Sequence, residues 1–147
     1  MNRRFLGCIF GCGLALSAST GLAIDPDELY PIEILPAIGA EKSEVDTFFG
    51  EIGDCQSVDS GLRCDYRKYT TEVTFIEGRA DLWKFEGFKD IPMDVQLLRQ
   101  IGLRPSPPFK RDAYSMHWTG IHGLFVVSAF GGKNLSGIAI SRNPPPR

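Results

Sequence analysis

The stretch FFGEIGDCQSVDSGLRCDYRK, residues 48–68, joins the end of a predicted helix to the start of a predicted sheet. An amphipathic pattern ends at Gly50, a residue typical of a helix C-terminus. Cys55 and Cys64 follow, separated by a segment rich in Gly, Ser and Asp, and an alternating, strand-like run begins at the second cysteine. Such a pair is compatible with a metal site, a redox pair or a disulfide. Which of these three interpretations applies depends on the cellular compartment of the protein.

The N-terminus has the features of an export signal. Arg3 and Arg4 form a positive region, residues 5–16 are apolar, and small residues precede a predicted cleavage after Ala23. The apolar run is too short to span a bilayer well, and the sequence has no other long apolar run. We therefore predict a signal peptide over residues 1–23, a periplasmic or secreted location, and no integral membrane span after cleavage.

Other processing routes stay open. Ala18 and Thr20 are alternative cleavage positions. Lipoprotein attachment at Cys8 or Cys12 is disfavoured, because too little apolar sequence precedes either cysteine.

Loss of the signal peptide changes the count from 16 basic and 18 acidic residues to 14 and 18. A net negative chain is a poor platform for nucleic acid. Of the four cysteines, only Cys55 and Cys64 remain, and a pair in an oxidising compartment predicts one disulfide. A metal site would need further ligands, and the two histidines, His117 and His122, lie in a glycine-rich turn sequence. We predict no metal and no cofactor.

The remaining chain is predicted to be one α+β domain, residues 39–142, with an antiparallel sheet and short helices on one face. Its pattern suggests two tandem α-β-β-β units, residues 39–87 and 90–142. Each begins with a helical pattern that ends in glycine, over 39–50 and 90–102, and continues with three strand-like runs. The alternative is an ordinary α+β domain without a repeat.

Two flanking segments complete the domain prediction. Residues 24–38 contain three prolines and are expected to form an extended lead-in along a sheet edge. Residues 143–147, NPPPR, are expected to form a disordered tail. Charge follows the division into units, because residues 24–87 hold 15 acids and 6 bases, whereas residues 88–147 hold 3 acids and 8 bases. This charge asymmetry either forms a two-signed surface that binds a partner or reflects two charged surfaces that face solvent.

The pattern G-x-x-x-x-x-V-x-x-x-x-G, followed by two cysteines around a Gly/Ser/Asp segment, is similar to the repeat unit of the β-lactamase inhibitory protein family. The helix–glycine–three-strand part also resembles the small lipoprotein subunit of the outer-membrane β-barrel assembly machinery. The matching residues are Gly39, Val45, Gly50, Cys55 and Cys64. The second unit departs from the pattern, with Ile91 at the opening glycine and no cysteine pair. The resemblance implies a non-enzymatic module that binds another protein through a sheet face.

Strand alternation leaves the position of the binding residues open in the first unit. Either Leu82 faces the core, or Trp83 and Phe85 do, because a regular strand cannot bury both sets. In the first case Trp83, Phe85 and Tyr69 form an exposed aromatic patch, the composition that protein interfaces favour.

In the second unit, an inward set of Tyr114, Met116 and Trp118 turns Ser115, His117 and Thr119 outward. The candidate protein-binding residues are Tyr69, Trp83, Phe85 and His117.

We therefore expect an exported, non-enzymatic protein-binding module, an inhibitor or immunity-type protein that acts on an exported enzyme. The alternatives are a cell-envelope assembly factor and a small periplasmic enzyme that uses His117 or His122. Catalysis is disfavoured because no G-x-S-x-G motif occurs and because Asp112 precedes the strand that carries Ser115 and His117.

Overall fold

A computed structural model describes residues 32–50, 52–88 and 90–144. Eight antiparallel strands form one sheet in the order β1-β2-β3-β4-β8-β7-β6-β5. The strands are β1 (Ile52–Val58), β2 (Gly61–Tyr66), β3 (Thr71–Ile76), β4 (Arg79–Glu86), β5 (Lys110–Arg111), β6 (Ser115–Thr119), β7 (Val126–Gly131) and β8 (Leu135–Ser141). The predicted α+β class and antiparallel sheet are confirmed.

The helices are short. Helix α1 covers Lys42–Phe49, and four 3₁₀-helices cover Leu35–Ala37, Lys68–Thr70, Val95–Ile101 and Ile121–Gly123. Among the described residues, no helix has the length and apolar character that crossing a membrane requires.

The core lies on one face of the sheet, because alternate residues of neighbouring strands meet there in register. One row across β3, β4, β8, β7 and β6 consists of Val73, Trp83, Ile140, Val127 and Trp118. All five are buried. This row fixes the opposite face of the same strands as the outer face of the molecule.

Helix α1 packs on the core side of the sheet. The carboxylate of Glu44 accepts a hydrogen bond from the backbone N–H of Glu41 at 2.8 Å, which satisfies a free donor at the helix start. Val45 and Phe49 are buried, and the Phe49 ring lies 5.7 Å from the Trp83 ring. Phe48, the neighbour of Phe49 in the chain, is exposed.

The disulfide between Cys55 and Cys64 is confirmed. The two residues are directly paired on β1 and β2, with their Cα atoms 4.1 Å apart. The segment between the cysteines, although rich in Gly, Ser and Asp, forms the end of β1, a tight turn and the start of β2. The β1–β4 half of the sheet therefore has four strands instead of the predicted three.

The second predicted helix, over 90–102, is shorter than its pattern indicates. Only the 3₁₀-helix Val95–Ile101 forms, and it begins after Asp94, whose carboxylate accepts from the N–H of Gln96 at 2.7 Å. Pro92, which falls within the predicted helical pattern, instead forms a β-bridge with Asn134. The helix begins after Asp94 because the carboxylate of this residue caps a backbone N–H group of the first turn.

The flanking segments also differ from expectation. Ile32 and Ile34 are buried, and their backbone N–H groups donate to the carbonyls of Gln100 and Ile101. The described part of the lead-in therefore lies beside the 3₁₀-helix Val95–Ile101 and not along a sheet edge. In the predicted disordered tail, the Asn143 side chain donates to the carboxylate of Asp81. The predicted signal peptide, residues 24–31 and residues 145–147 lie outside the described residues.

Candidate functional site: the outer face of the sheet

The outer face consists of the side chains that alternate with the core row. His117, Ser128, Ala139, Lys84 and Glu72 form a row across β6, β7, β8, β4 and β3. These side chains are half-buried or exposed, whereas those of the core row are buried. The sheet thus presents one side to the core and the other to solvent or a partner.

Ion pairs cover the outer face of the β1–β4 half. Lys84 Nζ lies 2.7 Å from Glu86 Oε1, and Arg63 Nε lies 3.7 Å from Glu72 Oε2. The hydrogen bond from Lys84 to Glu86, together with the charge of that carboxylate, raises the pKa of Lys84. An open depression of about 500 Å³ beside these pairs is lined by charged side chains of both signs, among them Asp65, Glu72 and Lys84. Because Lys84, Glu86, Arg63 and Glu72 are exposed or half-exposed, these ion pairs contribute little to stability.

A chain of hydrogen bonds crosses the outer face of the β5–β8 half. Nδ1 of His117 lies 2.8 Å from Ser128 Oγ, and Nε2 lies 3.0 Å from Ser115 Oγ. The Ser115 hydroxyl donates to Asp112 Oδ2 at 2.7 Å. Four side chains from β6, β7 and the loop before β6 are therefore connected in the order Asp112, Ser115, His117, Ser128.

Asp112 anchors this chain of hydrogen bonds. Its Oδ1 accepts from the backbone N–H groups of Tyr114 and Ser115, both at 2.8 Å. The hydrogen bond from the Ser115 hydroxyl, then those from these backbone donors, hold the pKa of the Asp112 carboxyl below its usual value. Asp112 is thus a carboxylate at neutral pH.

Three exposed aromatic residues lie on or directly before the strands that carry the chain of hydrogen bonds. Phe130, next to Ser128 on the same face, is 45% exposed and meets the His117 ring edge-on, with 6.0 Å between centroids. Tyr114 is 74% exposed, and its carbonyl accepts from Gly131 N–H at 2.9 Å, which brings it beside the end of β7. Phe109 is exposed just before β5. We call Phe109, Tyr114 and Phe130 the aromatic rim.

The structure places the predicted binding residues differently. Trp83 is 2% and Phe85 0% exposed, with their rings stacked in the core, so the prediction that they form an exposed patch is wrong. Tyr69 is half-buried against the core. A bulge between β3 and β4 at Thr74 and Phe75 accounts for the difference, because it changes the phase of β4.

In the β5–β8 half the prediction is closer. Ser115, His117 and Thr119 face outward, while Met116 and Trp118 are buried. Tyr114, predicted in the core, is exposed because β6 begins only at Ser115.

Sequence reasoning missed Ser128 and Phe130. The signal for both lay in VVSAFG, where buried Val127 and Ala129 alternate with Ser128 and Phe130. A phenylalanine at the polar position of such a strand indicates an exposed aromatic. The link from Asp112 to Ser115 had no signal, because it depends on how the loop folds back.

Within residues 32–50, 52–88 and 90–144, no cluster of three or more His, Cys, Asp or Glu side chains is arranged to hold a metal ion. His122 lies in the 3₁₀-helix Ile121–Gly123, and its Nε2 accepts from Arg104 N–H at 3.4 Å. Comparison of the chain with protein-family models, curated protein sequences and solved structures found no match.

Proposed function

We propose that the protein is an exported binding module that recognises another protein through the outer face of its sheet, at the β5–β8 half. The observation that carries this proposal is the exposed Phe130 ring that packs edge-on against His117. The Phe130 ring lies on this face, and the exposed Phe109 and Tyr114 directly precede the strands β5 and β6. Aromatic side chains are enriched in the centres of protein interfaces, where polar residues surround them.

The energetics favour this half over the other. An exposed aromatic ring loses little side-chain entropy on binding and buries a large apolar area. Lys110, opposite His117 on β5, adds a charged group beside the rim. The backbone under Phe130 is paired with strands on both sides, so the surface is already ordered before a partner arrives.

The partner we favour is an exported enzyme, with this chain acting as an inhibitor or immunity-type protein. The cystine between β1 and β2 supports an oxidising, extracytoplasmic location. We also propose that the chain consists of two tandem units. Both β1–β4 and β5–β8 are antiparallel meanders, and a short helix that ends at a glycine precedes each.

Site-specific photo-cross-linking in the exporting cell tests this proposal. A benzoyl-phenylalanine replaces Phe130 in one variant and Phe125 in a matched control. The two residues are equally exposed, at 45% and 44%, but Phe125 precedes β7 and has the opposite alternation. We expect position 130 to form one discrete cross-linked product with another protein and position 125 to form none.

Equal cross-linking at both positions, or none at either, would contradict recognition through this face. The mass of the product identifies the partner. A product that contains a second copy of the chain would replace the proposed enzyme partner with self-association.

A further inference from the structure

The hydrogen bonds of the outer face fix the tautomer of His117. The Ser115 hydroxyl has one proton, and that proton is donated to Asp112. Towards His117, Ser115 Oγ therefore acts as an acceptor, so Nε2 of the neutral ring carries the hydrogen. Nδ1 of His117 is then an unprotonated base.

That base faces a hydroxyl. Ser128 Oγ lies 2.8 Å from Nδ1, so the serine donates its proton to the ring. A serine hydrogen-bonded to an imidazole whose other nitrogen is oriented by a third group is the arrangement that activates a nucleophile. Here Ser115 stands between the imidazole and the carboxylate, and Asp112 orients the ring through it.

The geometry points to Ser128 as a base-activated nucleophile that accepts acyl groups from small activated esters, an activity that goes beyond protein binding. Ser128 Oγ attacks the ester carbonyl carbon while its proton passes to Nδ1 of His117. The bond from that carbon to the leaving alkoxide then breaks, and the alkoxide takes the proton from the imidazolium. The products are acyl-Ser128, neutral His117 and the free alcohol.

The surroundings of Ser128 admit such a reagent. Ser128 is half-buried on the outer face, and its neighbour on β8 is Ala139, whose methyl group leaves space above the strand. The Phe130 ring on the same strand borders the site and offers an apolar contact to the acyl group.

Acetylation by p-nitrophenyl acetate tests the assignment. The acetylated positions of the full chain are identified by peptide mapping with and without hydroxylamine treatment. Hydroxylamine cleaves serine esters and leaves lysine amides intact. In the wild-type protein we expect Ser128 to be acetylated about tenfold or more faster than Ser136, since a positioned general base contributes at least that much. Ser136 is the internal control, because it is an exposed serine of β8 with no histidine partner among the described residues.

Two variants separate the roles. Ser128→Ala removes the site, and His117→Gln keeps a polar side chain but removes the base, so each is expected to abolish the fast acetylation. Equal rates at Ser128 and Ser136 would overturn the assignment without any variant. If Ser128→Ala were still acetylated as fast as the wild type, the imidazole would be the nucleophile and the assignment would be wrong. If His117→Gln left the acetylation rate at Ser128 unchanged, His117 would not be the base.

Discussion

Alternation along the strand allows Trp83 to lie on either face of the sheet. Its alternation with Phe85 is compatible with an exposed patch or with the core, and the sequence contains no feature that chooses between them. The bulge between β3 and β4 makes the choice, and such irregularities depend on pairing between strands. We therefore propose for Phe130 the binding role that the sequence suggested for Trp83.

Truncation of Trp83 is expected to cost stability. Trp83→Ala should lower the free energy of unfolding by about 3–5 kcal/mol, because it leaves a large cavity beside Phe49 and Phe85. Chemical denaturation measures this, with the exposed Tyr114→Ala as the matched control, expected to change stability by less than about 0.5 kcal/mol.

Trp83→Phe is expected to cost far less than Trp83→Ala. Within the described part of the chain, the buried indole Nε1 has no hydrogen-bond partner, so the substitution removes an unsatisfied donor along with some volume. If Trp83→Phe and Trp83→Ala lowered the free energy of unfolding equally, the indole N–H would not be an unsatisfied donor in the folded protein. A loss below about 1 kcal/mol for Trp83→Ala would contradict the core position.

Tyr66 carries a pH dependence. Burial, then its hydrogen bond to Asp46 at 2.7 Å and the charge of that carboxylate, raise the pKa of the phenol. As pH rises past about 10, the unfolded chain loses this proton before the folded chain does. The contribution of Tyr66 to stability is thus complete below that pH and is lost above it.

The measurement is the free energy of unfolding at about pH 8 and about pH 11, in the wild-type protein and in Tyr66→Phe. Other groups titrate in both proteins, so the difference between them isolates Tyr66. We expect the wild type to lose more stability than the variant over this interval. An identical loss in both would show that the phenol does not control the alkaline transition.

At the scale of the element, the β1–β2 hairpin depends on its cystine. The edge strand β1 is almost wholly exposed and buries little apolar surface. The double variant Cys55→Ala, Cys64→Ala should lower the free energy of unfolding by about 2–3 kcal/mol, the chain entropy that closing so short a loop removes from the unfolded state. Alanine is preferred to serine because Cys64 is fully buried.

Reduction of the wild-type protein should reproduce most of this loss in chemical denaturation. Amide hydrogen exchange should show the opening confined to β1 and its turn, since β2 remains paired with β3. Loss of protection throughout the sheet would mean that the cystine holds more than this hairpin.

Elements with strong local patterns could be predicted from the sequence, and those that depend on distant partners could not. Helix α1 follows from the spacing of Val45 and Phe49 and from Gly50. Strands β6 to β8 follow from their alternation. Strand β1 was missed because Gly, Ser and Asp favour turns, and its pairing depends on β2 and the cystine.

The candidate site was predictable to a smaller extent. The outward position of His117 follows from alternation in β6. Its contacts with Ser128 and Phe130 depend on the register between β6 and β7, which the sequence alone does not fix.

At the scale of the whole molecule, the strand order separates two kinds of surface. The β1–β4 half carries paired charges on its outer face, and the β5–β8 half carries the aromatic rim and His117. Because β4 pairs with β8, these surfaces lie side by side on one sheet. A partner that covers the outer face would meet Phe130 and His117 at one end and charged groups at the other.

The measurement that tests recognition through this face most directly is the affinity of the cross-linked partner for Phe130→Ala and Phe125→Ala, by isothermal titration. We expect Phe130→Ala to weaken binding at least about tenfold, or 1.4 kcal/mol, with an unfolding free energy close to that of the wild type. Phe125→Ala should bind as the wild type does. Unchanged affinity in Phe130→Ala, or an equal loss in Phe125→Ala, would contradict the account.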